Sequence, residues 1–127
     1  AKWGNEQATQ IRISESAAEL RAARLQMAAN FNEHIDNLTR NEEVDLHKRS
    51  QYRFDHCNLV DLAHRAADRI FVASGARSLM TNQPLQRLYC DIQAARVHAI
   101  NNRTKWATTA GSIALENYPD DILSLFI

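Results

Sequence analysis

The chain has 127 residues, 45% of them hydrophobic and 24% charged, with only three Gly and two Pro, which is one domain's worth of sequence and enough to bury a core. Lys plus Arg and Asp plus Glu balance at 15 each, so no overall field favours nucleic acid or an anionic membrane surface. Cys57 and Cys90 lie far apart, outside any CxxC arrangement, and no apolar run approaches the roughly 20 residues of a membrane span, so free thiols in the cytoplasm are expected.

From residue 5 to residue 35 there is no Pro or Gly, and Ile13, Ala17, Leu20, Met27, Phe31 and Ile35 recur with a helical period. Ile11, Ala18, Ala22, Leu25 and Ala29 form a second stripe beside them. A long first helix, covered on more than one side and with one side toward another subunit, is expected. Residues 36–43 (DNLTRNEE) are polar and supply Asn37, Thr39 and Asn41 for a helix-to-helix turn. The second helix is expected over 44–73, with Leu59, Leu62, Ala66, Ile70 and Ala73 on its core face and Val60, Ala67 and Phe71 on another; a short turn packs such helices antiparallel. Ser74-Gly75 ends it, because Gly takes the left-handed conformation at a helix terminus without steric cost. Asn82 and Pro84 start a third helix running to about residue 100. Asn101-Asn102 interrupts it, and a fourth helix over 103–117 ends before Pro119, leaving an apolar tail suited to docking. The expected fold is all-α, an antiparallel four-helix bundle in one domain over 1–127.

On the third helix Arg87, Asp91, Ala94 and His98 share one narrow stripe, about a quarter-turn from Leu88, Ile92, Ala95 and Ala99. A polar stripe leading away from the core suits the lining of a cleft. Arg87 and Asp91, four apart, can pair to fix the helix surface or orient a neighbour, although such pairs are commonly solvated bridges. His98 offers an imidazole, a base or hydrogen-bond partner at neutral pH, although a single His is more often structural. Asp61 and His64 have the spacing of half a carboxylate-bridged metal site, but no second pair and no HExxH accompany them, so no metal is expected. His34, His47 and His56 share no ligand spacing and suit surface or interface positions; Trp106 and Tyr118 suit packing.

The run from Phe71 to His98 is more specific as a whole. Phe71, Ser74-Gly75-Ala76, Pro84-Leu85-Gln86-Arg87, Tyr89, Asp91 and, seven residues on, His98 resemble in order and interval the C-terminal domain of two-component flavin-dependent monooxygenases that share the acyl-CoA dehydrogenase fold. That group hydroxylates hydroxyphenylacetate, steroid-derived phenols and polycyclic metabolites. The resemblance implies the C-terminal part of a longer flavoenzyme, a homotetramer using reduced FMN or FAD from a separate flavin reductase. It implies O2-dependent hydroxylation of an aromatic or polycyclic substrate through a C4a-hydroperoxyflavin. His98 would sit beside flavin and substrate, as a base on a phenol or as a hydrogen-bond partner of the peroxide. Gly75, Ala76, Arg77 and Ser78 would form the turn that meets the flavin phosphate or ribityl chain, since Gly permits close backbone approach and N–H groups with Arg77 suit an anion.

Cys90 stands where that family carries Arg, and Gln93 where many members carry a further His, which implies a different substrate pocket. An acyl-CoA dehydrogenase-type domain is the first alternative. Those enzymes need a carboxylate base and often carry Tyr-Glu-Gly-Thr after such a helix, where this chain reads His98-Ala-Ile-Asn-Asn. A non-catalytic helical oligomerisation module is the second.

Overall fold

Four α-helices follow one another in a computed structural model that describes residues 6–118, 120 and 122, apart from the side chains of Arg77 and Ser78. They are α1 (Gln7–Thr39), α2 (Leu46–Ala73), α3 (Pro84–Val97) and α4 (Arg103–Ala114), with short 3-10 turns at Ala76–Leu79 and Ala99–Asn101. The all-α, antiparallel four-helix architecture is as expected. The expected tail docking lies mostly outside the described residues.

The stop and start signals explain most boundaries. Asp45 caps α2 by accepting a hydrogen bond from the Lys48 N–H at 2.8 Å, Pro84 opens α3, and Asn102 caps α4 through the Lys105 N–H at 3.0 Å. Three ends differ from expectation, α4 stopping at Ala114 instead of about residue 117, just before Glu116 at φ 57°. α1 runs on through Asp36–Thr39, because cap-type residues cost a helix interior only a few tenths of a kcal/mol. Termination comes at Asn41, whose φ of 56° is left-handed, a conformation Asn tolerates. α3 ends at Val97, before His98, whose backbone is extended (φ −62°, ψ 136°); the stripe drawn through Arg87, Asp91 and Ala94 therefore loses its last member.

α2 is the central element, against which α1, α3 and α4 each pack. Ser16 meets Ala66, Asn30 meets Asp55 and Glu33 meets Lys48, so α1 and α2 are antiparallel. Along α2 in the other direction, Tyr89 lies at Asp68, Gln93 at His64, Arg103 at Phe54 and Trp106 at Arg53. α3 and α4 are thus laid end to end on α2, one antiparallel run broken at residues 98–102.

The face of α1 that meets α2 is not the one the hydrophobic pattern suggests. Thr9, Ser16 and Ala23, spaced by seven, are buried, and the Ser16 hydroxyl donates to the Ala66 carbonyl at 3.2 Å. Small side chains let the two backbones approach closely. Both apolar stripes stay exposed instead: Ile11, Leu25, Phe31 and Ile35 are all about half exposed or more. Soluble surfaces rarely leave an apolar patch of this kind open. The core is correspondingly small, centred on Ala66, Cys57, Trp106 and Ile113, with Ile113 fully buried. No described helix is long and apolar enough to cross a membrane.

One ion-pair cluster clamps α1 to α2. Glu19 receives both guanidinium arms of Arg69, at 2.5 and 2.9 Å, and also pairs with Arg65. These partners hold its carboxyl well down, at about 2 against an ordinary 4.5, with the Arg69 hydrogen bonds the largest cause. A carboxyl depressed on folding stabilises above its unfolded value, and the contribution is lost as pH falls from about 4.5 toward 2. Water reaches part of this cluster, so the effect is modest. Glu19→Gln is expected to cost about 1 kcal/mol at pH 7 and to flatten the acid limb of a thermal-unfolding pH series; an unchanged acid limb would refute the assignment.

Candidate functional site

The break between α3 and α4 is held open by side chains that take over the duties of the missing helical bonds. The last carbonyls of a helix lack partners, and here Asn101 Nδ2 donates to the Ala95 carbonyl at 2.6 Å. The Ile100 carbonyl is held by two neighbours, accepting from Trp106 Nε1 at 3.2 Å and from the Cys57 thiol at 3.6 Å. Burial pushes the Cys57 thiol up, which keeps it a protonated donor. α2, through Cys57, and α4, through Trp106, therefore pin the turn that carries His98.

His98 is exposed and caps that turn, its Nδ1 accepting from the Ile100 N–H at 3.3 Å. With Nδ1 occupied as an acceptor, the neutral ring carries its hydrogen on Nε2. The free edge is then a donor. His98 lines a cleft of about 460 Å³ between α2 and the break, where it is joined by Cys57, Asp61, Arg96, Asn101 and Arg103. A second cleft, of about 600 Å³, is lined by Met27, Phe31, Leu38, Tyr52 and Leu59. It continues the exposed apolar surface of α1, takes in His34 and His56, and includes none of Gly75, Ala76, Arg87, Asp91 and His98.

The Ser74-Gly75 stop has the expected form. Gly75 has φ +70°, and Ser74 donates through Oγ to the Ile70 carbonyl at 2.8 Å. A Cβ added at Gly75 would meet nothing within 4 Å, so Gly75→Ala is expected to cost about 1 kcal/mol through backbone strain alone. Thermal unfolding reads it, and a neutral substitution would remove the conformational reason for this glycine. Ala76, next in the turn, is exposed; the side chains of Arg77 and Ser78 lie outside the described residues. Among the described residues of the turn, neither Gly75 nor Ala76 lines the His98 cleft. Gly75 follows α2 fourteen positions after Asp61, a helical distance of about 20 Å.

Arg87 and Asp91 are both exposed, and among the described residues no ion pair joins them. The opposite side of α3 does the anchoring. Tyr89 donates to Asp68 at 2.8 Å and stacks on Phe71 with ring centroids 4.0 Å apart. Gln93 lies 2.8 Å from His64 Nε2. The two aromatic positions of the motif thus fix the register of α3 on α2, and Gln93 ties His64 to the same interface. Among the described residues no three His, Cys, Asp or Glu groups stand together as a metal site. The sequence pattern assigns no site role to Cys57, Arg96, Asn101 or Arg103; it marks Cys57 as a free thiol and Asn101-Asn102 as a helix break, the one local hint of a built turn.

A fold built around this motif has known counterparts. The profile described as "Acyl-CoA dehydrogenase, C-terminal domain" matches residues 1–103. The oxygenase subunit HsaA of a flavin-dependent monooxygenase from Mycobacterium tuberculosis (strain ATCC 25618 / H37Rv) is 34% identical over 92 residues, 72% of this chain and 23% of that protein. The oxygenase component of p-hydroxyphenylacetate 3-hydroxylase from Acinetobacter baumannii is 27% identical over 110 residues, 87% of this chain and 26% of that protein. The crystal structure of 3-HSA hydroxylase from Rhodococcus sp. RHA1 superposes with a TM-score of 0.87 at 29% identity, covering 93% of this chain and 31% of the other. The chain spans about a quarter of the length of the curated relatives it matches. On the family profile, the shared motif and the shared fold, the chain belongs to the acyl-CoA dehydrogenase C-terminal domain family.

Proposed function

We propose that this chain is the C-terminal domain of a reduced-flavin-dependent monooxygenase that hydroxylates an aromatic or polycyclic substrate by the oxygen-transfer route the resemblance implies. The observation that carries the reading is the placement of His98, set outside α3 on a pinned turn, its Nδ1 engaged by the Ile100 N–H and the residue lining a polar cleft. Bound reduced flavin, FMN or FAD, would supply the activation of O2. His98 would hold a proton at Nε2 and donate it in a hydrogen bond to the phenolic oxygen, where a charge-assisted bond stabilises phenolate and so enriches the ring in electrons. A donor role fits the Nδ1 contact better than a base role, since a base would need the opposite tautomer.

Gly75, Ala76, Arg77 and Ser78 would meet the phosphate end of a flavin. The exposed, unobstructed backbone at Gly75 suits such an approach. About 20 Å along α2 from the His98 cleft, the turn serves the far end of the cofactor or the flavin of a neighbouring copy. A homotetramer would cover the apolar stripes of α1, and the exposed Arg87 and Asp91 would orient a neighbouring surface. A flavin reductase in the same cytoplasm would be the other partner.

Asp61 supports a second reading. It is the one carboxylate among the described residues lining the His98 cleft, and an acyl-CoA dehydrogenase would need a carboxylate to take an α-proton. The native polypeptide that contains this chain separates the two when supplied in one assay with NADH, a flavin reductase, O2 and a phenol, and in another with oxidised flavin, an electron-accepting dye and an acyl-CoA thioester. Hydroxylated phenol supports the monooxygenase; enoyl thioester without phenol turnover replaces it; neither product, with no flavin bound, leaves a non-catalytic helical module.

A further inference from the structure

We propose that Arg53, Arg103 and Lys105 are cations held on aromatic rings around the helix break, and that their uncancelled field favours the phenolate form of a phenol bound beside His98. This rests on the reading that His98 meets a phenol. Arg53 and Lys105 lie over the ring of Trp106, 4.9 and 5.2 Å from its centroid, and Arg103 lies over Phe54 at 5.5 Å. Among the described residues none of the three forms an ion pair. Lys48 differs: it also lies over a ring, Tyr52 at 5.6 Å, but Glu33 matches its charge at 2.7 Å.

A carboxylate holds a cation and cancels its charge; a ring holds it through a quadrupole and leaves the charge in place. The three cations gather at the His98 turn. Trp106 donates to the Ile100 carbonyl, the Ile100 N–H engages His98, and Arg103 itself lines the cleft. The Cys57 thiol in that cleft already registers the field: burial pushes it up, and Arg53 and Arg103 pull it back down. Opposing charge is scarce. Arg96 adds a further cation from the last turn of α3, and Asp61 is the one carboxylate among the described residues lining the cleft. Asp55, the next carboxylate along α2, is bonded to Asn30 of α1, and Asp91 is exposed on α3.

The consequence is a division of labour. Ionisation releases the hydroxyl proton to water and leaves the electron pair on oxygen, which makes the ring a better acceptor of an oxygen atom. The cations shift that equilibrium through space, and His98 donates a hydrogen bond to the phenolate that results. Arg103 and Lys105 are exposed, so solvent screens part of their effect. Acting together, the three are expected to lower the acidity constant of the bound phenol by about one pKa unit.

The test titrates 4-cyanophenol, whose ultraviolet difference spectrum separates phenol from phenolate, bound anaerobically to the native polypeptide with reduced FMN or FAD present. The bound probe is expected to ionise about one pH unit below the free probe. The difference should shrink in about 1 M salt, where the Debye length is about 3 Å, a dependence that a purely structural contact does not show. Arg53→Gln, Arg103→Gln and Lys105→Gln should each return part of the shift, and the triple variant nearly all of it. Arg53→Lys and Lys105→Arg keep the charge and should keep the shift. An unshifted probe with flavin bound overturns the field and spares the monooxygenase, as does a shift that survives the triple variant. A probe that stays unbound beside bound flavin overturns the field together with the phenol reading of His98. A salt-sensitive shift, lost in the triple variant and present with no flavin bound, keeps the field and removes the monooxygenase.

Discussion

Replacing His98 with Ala in the native polypeptide is expected to lower hydroxylation roughly 100-fold, the usual loss when one pre-set donor to a developing oxyanion is removed. More hydrogen peroxide should be released per product. The Nδ1 contact with the Ile100 N–H makes a finer expectation possible. His98→Gln retains a donor and cannot act as a base at neutral pH, so it should recover a substantial part of the lost rate. If Gln is as poor as Ala while flavin binding is intact, the donor assignment fails and a base is needed. Unchanged rate and coupling in His98→Ala would remove His98 from the chemistry altogether.

Trp106→Ala should produce the largest change in stability, about 3 to 5 kcal/mol, visible as a lower thermal midpoint. Trp106 is 4% exposed, lies under the Arg53 guanidinium at 4.9 Å and donates to the Ile100 carbonyl. Removing it opens the core at the point where α4 meets α2 and frees the turn beside His98. Trp106→Phe keeps most of the volume and loses the N–H, an expected cost of about 1 kcal/mol. Because Cys57 still donates to the same carbonyl, the Phe variant should fold and hydroxylate at a reduced rate. A Trp106→Phe protein with normal stability and normal rate would show that the Ile100 contact does not hold the turn.

The local signals in the sequence were strong where one residue decides the backbone. Gly75 at positive φ, Pro84 at the start of α3 and Asn102 as the cap of α4 are each legible from residue type, because each satisfies or relaxes a specific helix-end constraint. The core face of α1 was not legible in this way. Its Ile, Leu, Met and Phe positions form the obvious apolar stripes, yet Thr9, Ser16 and Ala23 meet α2. Periodicity marks an apolar face without saying what meets it, and among the described residues those stripes remain exposed.

His98 shows the same limit at smaller scale. Nothing between Val97 and Ile100 breaks a helix by propensity, so the third helix was expected to run on. The break is made by side-chain contacts rather than by a breaker residue: Cys57, distant in sequence, and Trp106 converge on the Ile100 carbonyl, and Asn101 reaches back to Ala95. Such a pin leaves no period to read. The motif from Phe71 to His98 identified the helix pair correctly, and the packing gives it a physical basis in the Phe71–Tyr89 stack and the Tyr89–Asp68 hydrogen bond.

The most direct measurement is the fate of labelled oxygen. The native polypeptide would be given reduced flavin, a phenol and 18O2, and the product analysed by mass. One atom of 18O in the hydroxylated ring, formed only when reduced flavin is supplied, is the expected result. A product carrying oxygen from water, or hydroxylation that proceeds without flavin, would contradict the assignment of this domain to a flavin-dependent monooxygenase.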